Sequence, residues 1–183
     1  MNSNTDLALF APLGCGLQTG AGAILNTLNV KAAKIVAIFG VGSVGMSAVM
    51  AAKMRGAREI IAIDLQQSRL DLATKLGATK TILGNDPEVV AKIQQISPPN
   101  GIHYAVDCSG VPAVIQNMVD SLGSRGKAAT VGAPALIPFL MKEHAKGNYP
   151  IENLITVYDM KDFNQAVKDA KSGKTLKAVL RWS

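Results

Sequence analysis

Ile35-Val-Ala-Ile-Phe-Gly-Val-Gly-Ser-Val-Gly45 is the stretch on which the fold turns. Five consecutive apolar residues, three of them β-branched, read as a strand covered on both faces. The run then breaks into Gly40-x-Gly42-x-x-Gly45 and passes into a helix spanning about Ser43 to Arg55. Gly45, Ala48 and Ala52 fall on one side of that helix and let it lie close to a sheet. In such a strand–turn–helix unit Gly40 permits the tight turn. Gly42 leaves no Cβ where a pyrophosphate approaches, and Gly45 allows close helix–strand contact. The helix start, at Ser43 and Val44, offers unpaired N–H groups and a partial positive charge to an anion.

The same alternation continues toward the C-terminus. Ile60–Asp64 is a second strand, followed by a helix from Ser68 to Leu76 and a short strand over Lys80–Leu83. Asp86-Pro87 opens a helix to Ile96. His103–Cys108 is a fourth strand, Val111–Leu122 a helix and Lys127–Val131 a fifth strand. Five strands with intervening helices define an α/β, doubly wound parallel sheet of the Rossmann type, because such crossovers are almost always right-handed.

Asp64 ends the second strand 19 residues beyond Gly45. An acid there accepts from the ribose hydroxyls of a dinucleotide and repels a 2′-phosphate, which favours NAD over NADP. Arg69 lies within reach of that phosphate, of the adenosine edge or of solvent. The loops after the fourth and fifth strands, with Cys108, Ser109, Val131, Gly132 and Ala133, face the same crevice. Cys108 reads as a small buried hydrophobe rather than a reactive thiol. Ahead of the first strand, Cys15 to Leu28 reads as an extra helix. Beyond Pro134 come a helix near Pro138–Lys146, a strand near Leu154–Tyr158, a helix near Asp162–Ser172 and a strand over Lys177–Arg181. The expected division is a dinucleotide-binding domain over residues 1–134 and a C-terminal helix with a strand–helix–strand appendage over 135–183.

Composition narrows the function classes. Of 183 residues 48% are hydrophobic and 17% charged, enough apolar material for a sizeable core. The net charge of +6 is dispersed and aromatics are only 4%, which argues against a nucleic-acid partner. No apolar run approaches the roughly 20 residues of a membrane span, and no signal peptide is recognisable. Two cysteines are too few for a disulfide framework, so the expected location is the cytoplasm.

Ala11-Pro-Leu-Gly-Cys-Gly-Leu-Gln-Thr-Gly-Ala-Gly22 resembles a segment of the zinc-dependent medium-chain alcohol dehydrogenases. The resemblance continues through the glycine motif, Asp64, Lys75–Ala78, Asp107–Gly110 and Val131–Pro134, and resumes at Tyr158-Asp, Ala166 and Ser172–Leu180. It lies nearest the aryl- or benzyl-alcohol branch. It implies that Cys15 is one of three protein ligands to a catalytic zinc, that Thr19 lies beside the nicotinamide, and that Lys177 stands near the cofactor phosphates. The family's other two ligands belong to a preceding domain that this chain does not contain. His103, His144 and Cys108 have no ligand-like spacing to Cys15, so no tightly bound zinc is expected. The implied function is NAD(H) binding for alcohol–aldehyde hydride transfer, inactive without the catalytic domain. The alternatives are a subunit completed by another polypeptide and a non-catalytic NAD-sensing module. A segment that carries a sixth strand in the family is missing after Pro134, which puts the family's dimer in doubt while leaving other homo-oligomers open. The terminal strands are left to pair with each other or to exchange between chains.

Overall fold

The computed structural model describes residues 15–97, 101–132, 141–142, 145–148, 155–175 and 177–181. The chain divides into two compact units, Met1–Pro134 and Ala135–Ser183. The first holds helix α1 (Gly16–Gly22), strand β1 (Ile35–Phe39), α2 (Ser43–Met54), β2 (Glu59–Asp64), α3 (Gln67–Leu76), β3 (Lys80–Leu83), α4 (Val89–Ile96), β4 (Ile102–Asp107), α5 (Pro112–Asp120) and β5 (Leu122–Thr130). All five strands are parallel, in the order β3-β2-β1-β4-β5. This is the doubly wound α/β sheet, with the chain reversing direction across the sheet between β1 and β4.

β1 is buried at every position. Successive side chains point to opposite faces, so Val36 and Ile38 enter one core with Ile24, Ala48, Ala52 and Leu70. Ile35, Ala37 and Phe39 enter the other with Ile63, Ile93, Ile102 and Met118. An unbroken apolar strand is what a sheet covered on both sides requires. Among the described residues no helix is long and apolar enough to cross a membrane.

Two local departures from the sequence reading have physical causes. The helix over Cys15 to Leu28 is not uniformly α: Ala23–Thr27 widens into a π turn, in which Leu28 N–H donates to the Ala23 carbonyl and Val30 N–H to that of Ile24. The Arg55 guanidinium donates to the Leu25 carbonyl at 2.7 Å and holds that turn. The fifth strand begins at Leu122, not Lys127, and its register slips between Ile102↔Leu122 and Tyr104↔Lys127. Arg125 sits there at φ 66° just before Gly126, so the extra residues form a bulge and the regular ladder resumes at Lys127. β5 is the edge of the sheet.

In the second unit, β6 (Ile155–Asp159) and β7 (Lys177–Arg181) pair in parallel, joined by α6 (Phe163–Lys171). The terminal strands therefore pair with each other. Asp169 on α6 is buried and accepts from the Tyr158 hydroxyl at 2.9 Å and the Gln165 amide at 2.8 Å. The Tyr158 hydrogen bond, with help from Gln165 and Lys174, holds that carboxyl below the usual range. Val157 and Val179 face each other across the ladder and stay 50% and 38% exposed, so among the described residues this pair has no full cover. The helix expected near Pro138–Lys146 lies largely outside the described residues.

α1 lies backbone to backbone on α2. A Cβ on Gly20 would stand 1.9 Å from the Val44 carbonyl oxygen, and Ser47 Oγ donates to the Leu17 carbonyl at 2.6 Å. Gly22, two residues on, has nothing within 4 Å of its would-be Cβ. Gly20→Ala is expected to lower unfolding stability by about 1–3 kcal/mol, the cost of overpacking. Gly22→Ala is expected to raise it by roughly 0.5–1 kcal/mol through helix propensity. Urea denaturation of the two variants reads the contrast directly.

Candidate functional site

The carboxyl ends of β1, β2 and β4 meet at one crevice, and β1 sets its centre. Gly40 leaves the strand at φ 84°, and its N–H donates to the Ile63 carbonyl of β2 at 2.7 Å. A Cβ on Gly45 would stand 2.0 Å from the Gly40 carbonyl oxygen, so only glycine lets α2 start this close to the strand. Gly42 has nothing within 4 Å of its would-be Cβ. Its backbone therefore faces open space where an anionic ligand can come close. The first turn of α2 contains no acidic residue, so the unpaired N–H groups around Ser43, Val44 and Gly45 keep their positive character.

Asp64 ends β2, buried at 7% exposure. Its Oδ2 accepts from the Val41 N–H at 2.9 Å and its Oδ1 from the Gln66 N–H at 3.0 Å. One carboxylate thus ties the glycine turn to the loop after β2. Each oxygen retains lone-pair capacity for a further donor. Arg69 Nη1 lies 3.6 Å from Oδ2, with its side chain 47% exposed. Asp64, Gln66 and Arg69 lie along a crevice of about 480 Å³ whose other walls include Phe39, Ile63, Leu65, Val111 and Val114. An apolar slot with a few fixed polar groups at its rim is the usual form of a small-molecule site.

Sequence reasoning passed over Asp107, although it organises the other half of the crevice. It is fully buried at the end of β4. Its Oδ1 accepts from Ser109 N–H at 2.9 Å and Ser109 Oγ at 2.6 Å, and its Oδ2 from Gly110 N–H at 3.1 Å and Thr130 Oγ1 at 2.8 Å. Its carbonyl accepts from Val131 N–H at 2.8 Å. Gly132 fits against this loop because a Cβ there would meet Gly110 N at 2.6 Å. The loops after β4 and β5 are thereby joined. The signal was present as Asp-x-Ser-Gly, the pattern of a side chain folding back on its own turn.

Cys15 and Thr19 are neighbours at the start of α1. They line a second depression of about 490 Å³ with Gln18, Asn26, Thr27 and Val131, and Thr19 Oγ1 donates to the Cys15 carbonyl at 2.8 Å. Cys15 is exposed. Among the described residues no three His, Cys, Asp or Glu side chains are grouped to hold a metal ion, and a single thiolate does not meet zinc's need for about three protein ligands. His103 serves the opposite, amino end of the sheet, where its Nδ1 accepts from the Ile35 N–H at 3.3 Å. Burial, with Lys34 and Arg58, holds that imidazole below its ordinary pKa, in keeping with a neutral acceptor. Ala133 lies outside the described residues. Lys177 opens β7 in the second unit, and its side chain lies outside them too.

Cys108 borders the crevice. Burial, reinforced by the Asp107 charge, pushes its thiol up to about 12, so it stays protonated and inert near neutrality. At pH 8, iodoacetamide is expected to label the exposed Cys15 and to label Cys108 far more slowly, because the Cys108 thiol is buried and held protonated. Peptide mass mapping over time checks this, and equal rates would contradict it.

Residues 43–172 match the family model described as zinc-binding dehydrogenase. A probable alcohol dehydrogenase from a Pseudomonas species is 42% identical over 128 residues, which cover 70% of this chain and 40% of that protein. The geraniol dehydrogenase of Castellaniella defragrans is 31% identical over 209 residues, covering 95% of this chain and 55% of the relative. That alignment is longer than the 183-residue chain, so the relative carries residues with no counterpart here. Among solved structures, the benzyl alcohol dehydrogenase of Acinetobacter calcoaceticus superposes with a TM-score of 0.71 at 36% identity, covering 100% of this chain and 59% of that one. An alcohol dehydrogenase zinc-binding domain protein from Burkholderia ambifaria gives 0.70 at 40% identity, covering 99% and 57%. The chain thus spans about half the length of the curated relatives it matches. With the doubly wound sheet, the glycine turn and these matches in agreement, the chain belongs to the zinc-binding dehydrogenase family.

Proposed function

We propose that this chain is the NAD(H)-binding part of an alcohol dehydrogenase and that it does not turn over substrate by itself. The observation that supports the reading best is the placement of Asp64. A buried carboxylate, held by two backbone N–H groups, stands at the rim of an apolar crevice beside the open backbone of Gly42. In this reading the pyrophosphate lies at Gly42 and the first turn of α2, while the ribose hydroxyls donate to Asp64. Cys108, Ser109, Val131 and Gly132 supply the walls toward the reactive end. Thr19 stands nearest the nicotinamide, by the resemblance. When bound, the nicotinamide supplies hydride acceptance. The protein's part is to bind it, orient it and keep one face open to an alcohol. Cys15 offers only one of the ligands that would activate that alcohol, which is why turnover is assigned to a larger assembly.

Titration of the chain with NADH, followed by calorimetry, tests the reading. Saturable binding is expected, and Asp64→Asn is expected to weaken it about 10- to 100-fold, the worth of hydrogen bonds to a charged acceptor. Asparagine is a better probe than alanine, because it keeps an acceptor for the Val41 or Gln66 N–H. Absence of binding at millimolar NADH would contradict the proposal.

One observation favours a subunit completed by a second polypeptide. The Val157–Val179 pair is apolar and partly uncovered among the described residues, although parallel strands ordinarily have both faces buried. Mixing the chain with a separately expressed catalytic half of a benzyl alcohol dehydrogenase, zinc and NAD⁺ is then expected to give NADH from benzyl alcohol, which neither part gives alone. Persistent inactivity of the mixture, with both parts folded, would eliminate this reading.

A further inference from the structure

The amino ends of β1, β2 and β4, at the far side of the sheet from the crevice, bring together Lys34, Arg58 and His103. Lys34 is the last residue before β1, Arg58 the last before β2, and His103 the second residue of β4. The strands are parallel, with β1 between the other two. Arg58 N–H donates to the Lys34 carbonyl at 2.8 Å, and Ile35 N–H to His103 Nδ1 at 3.3 Å. Burial, and then the charges of Lys34 and Arg58, hold the imidazole below its ordinary pKa, so both cations lie near the ring. Lys34 and Arg58 are exposed. Among the described residues neither side chain makes a hydrogen bond or an ion pair. Glu59, the neighbouring acid, is engaged from the other side by the Thr79 hydroxyl ahead of β3. A neutral histidine that accepts at Nδ1 carries its proton at Nε2. Nε2 has no partner among the described residues and is not sealed from solvent. This end of the sheet therefore sets one N–H donor beside two cations, with no acceptor to answer them.

We propose that Lys34, Arg58 and His103 form an anion site for a terminal phosphate, either inorganic phosphate or the phosphate of a small monoester. Such a group carries nearly two negative charges near neutrality and three strong acceptor oxygens. It is matched by Nε2–H, the ammonium and the guanidinium, whose hydrogen bonds to it are charge-assisted. The ring acts as a neutral donor, since a proton on Nδ1 would cost the bond from Ile35. NADH has no terminal phosphate. Its pyrophosphate groups are singly charged and bridged on both sides, so this site is independent of the crevice and of the nucleotide reading.

The test is a titration of the labelled whole chain with sodium phosphate at about pH 7.5, where the imidazole is neutral, followed by ¹H–¹⁵N spectra of amides and imidazole. Sodium chloride at matched ionic strength is the control, and glycerol 3-phosphate is the second ligand. The imidazole is expected to show the Nε2–H tautomer. Phosphate is expected to give saturable shifts of His103 Nε2 and the amides of Lys34, Ile35 and Arg58. Lys34→Gln and Arg58→Gln, checked for folding by thermal unfolding, are each expected to weaken binding about two- to fivefold, the worth of one exposed ion pair. Lys34→Arg is expected to retain it. Tighter binding of glycerol 3-phosphate assigns the site to a monoester, and tighter binding of inorganic phosphate assigns it to the free ion. An Nδ1–H tautomer would overturn the proposal. So would shifts that chloride reproduces, shifts that stay linear to about 50 mM phosphate, or shifts confined to Gly42–Gly45.

Discussion

The contact between the α-carbon of Gly45 and the carbonyl of Gly40 is the constraint on which the crevice depends. With a would-be Cβ only 2.0 Å from that oxygen, α2 begins directly above the end of β1 rather than a side chain's width away. Gly20 brings α1 equally close to α2. Three elements therefore meet through backbone atoms, and β1 can be apolar throughout because helices cover both of its faces. The helix start is left facing open space at Gly42. That places a partial positive charge where the strand ends fan apart.

Two buried acids then fix the loops around this centre. Asp64 and Asp107 each end a strand, and each accepts hydrogen bonds from the backbone of the turns around it. A buried charge is tolerable when such bonds replace its lost hydration. The two differ in what they leave over. Asp107 is saturated by Ser109, Gly110 and Thr130 and faces no solvent, so its effect is to join the loops after β4 and β5. Asp64 stands at the rim with a cation beside it. Position in the sheet, more than residue type, separates a carboxylate that shapes a site from one that is able to take part in recognition.

The parts of this arrangement legible in the sequence are those written in short-range pattern. The unbroken apolar run Ile35–Phe39, the glycine spacing and the acid at the end of the next strand are enough to place β1, β2 and Asp64. The bulge ahead of Lys127 was not legible, because it depends on how Arg125 accommodates the register of β4. Nor was the π turn at Ala23–Thr27, which is held by Arg55 from the end of another helix. Gly20 looked like one more small residue in a glycine-rich helix, and only the crossing with α2 shows that no side chain fits there. The local turn of Asp107 was written in the sequence as Asp-x-Ser-Gly, but its bond to Thr130, 23 residues on, was not. Each miss comes from a tertiary partner overriding a local propensity.

The central claim is that a nicotinamide dinucleotide lies across the carboxyl ends of β1, β2 and β4. A two-dimensional ¹H–¹⁵N correlation titration of the labelled chain with NADH tests it at residue resolution. The account predicts saturable, concerted shifts of the amides of Val41 to Gly45, Gln66, Ser109 and Gly110, with those around His103 at the opposite end of the sheet unmoved. Shifts confined to other surfaces, or none at millimolar NADH, would contradict it.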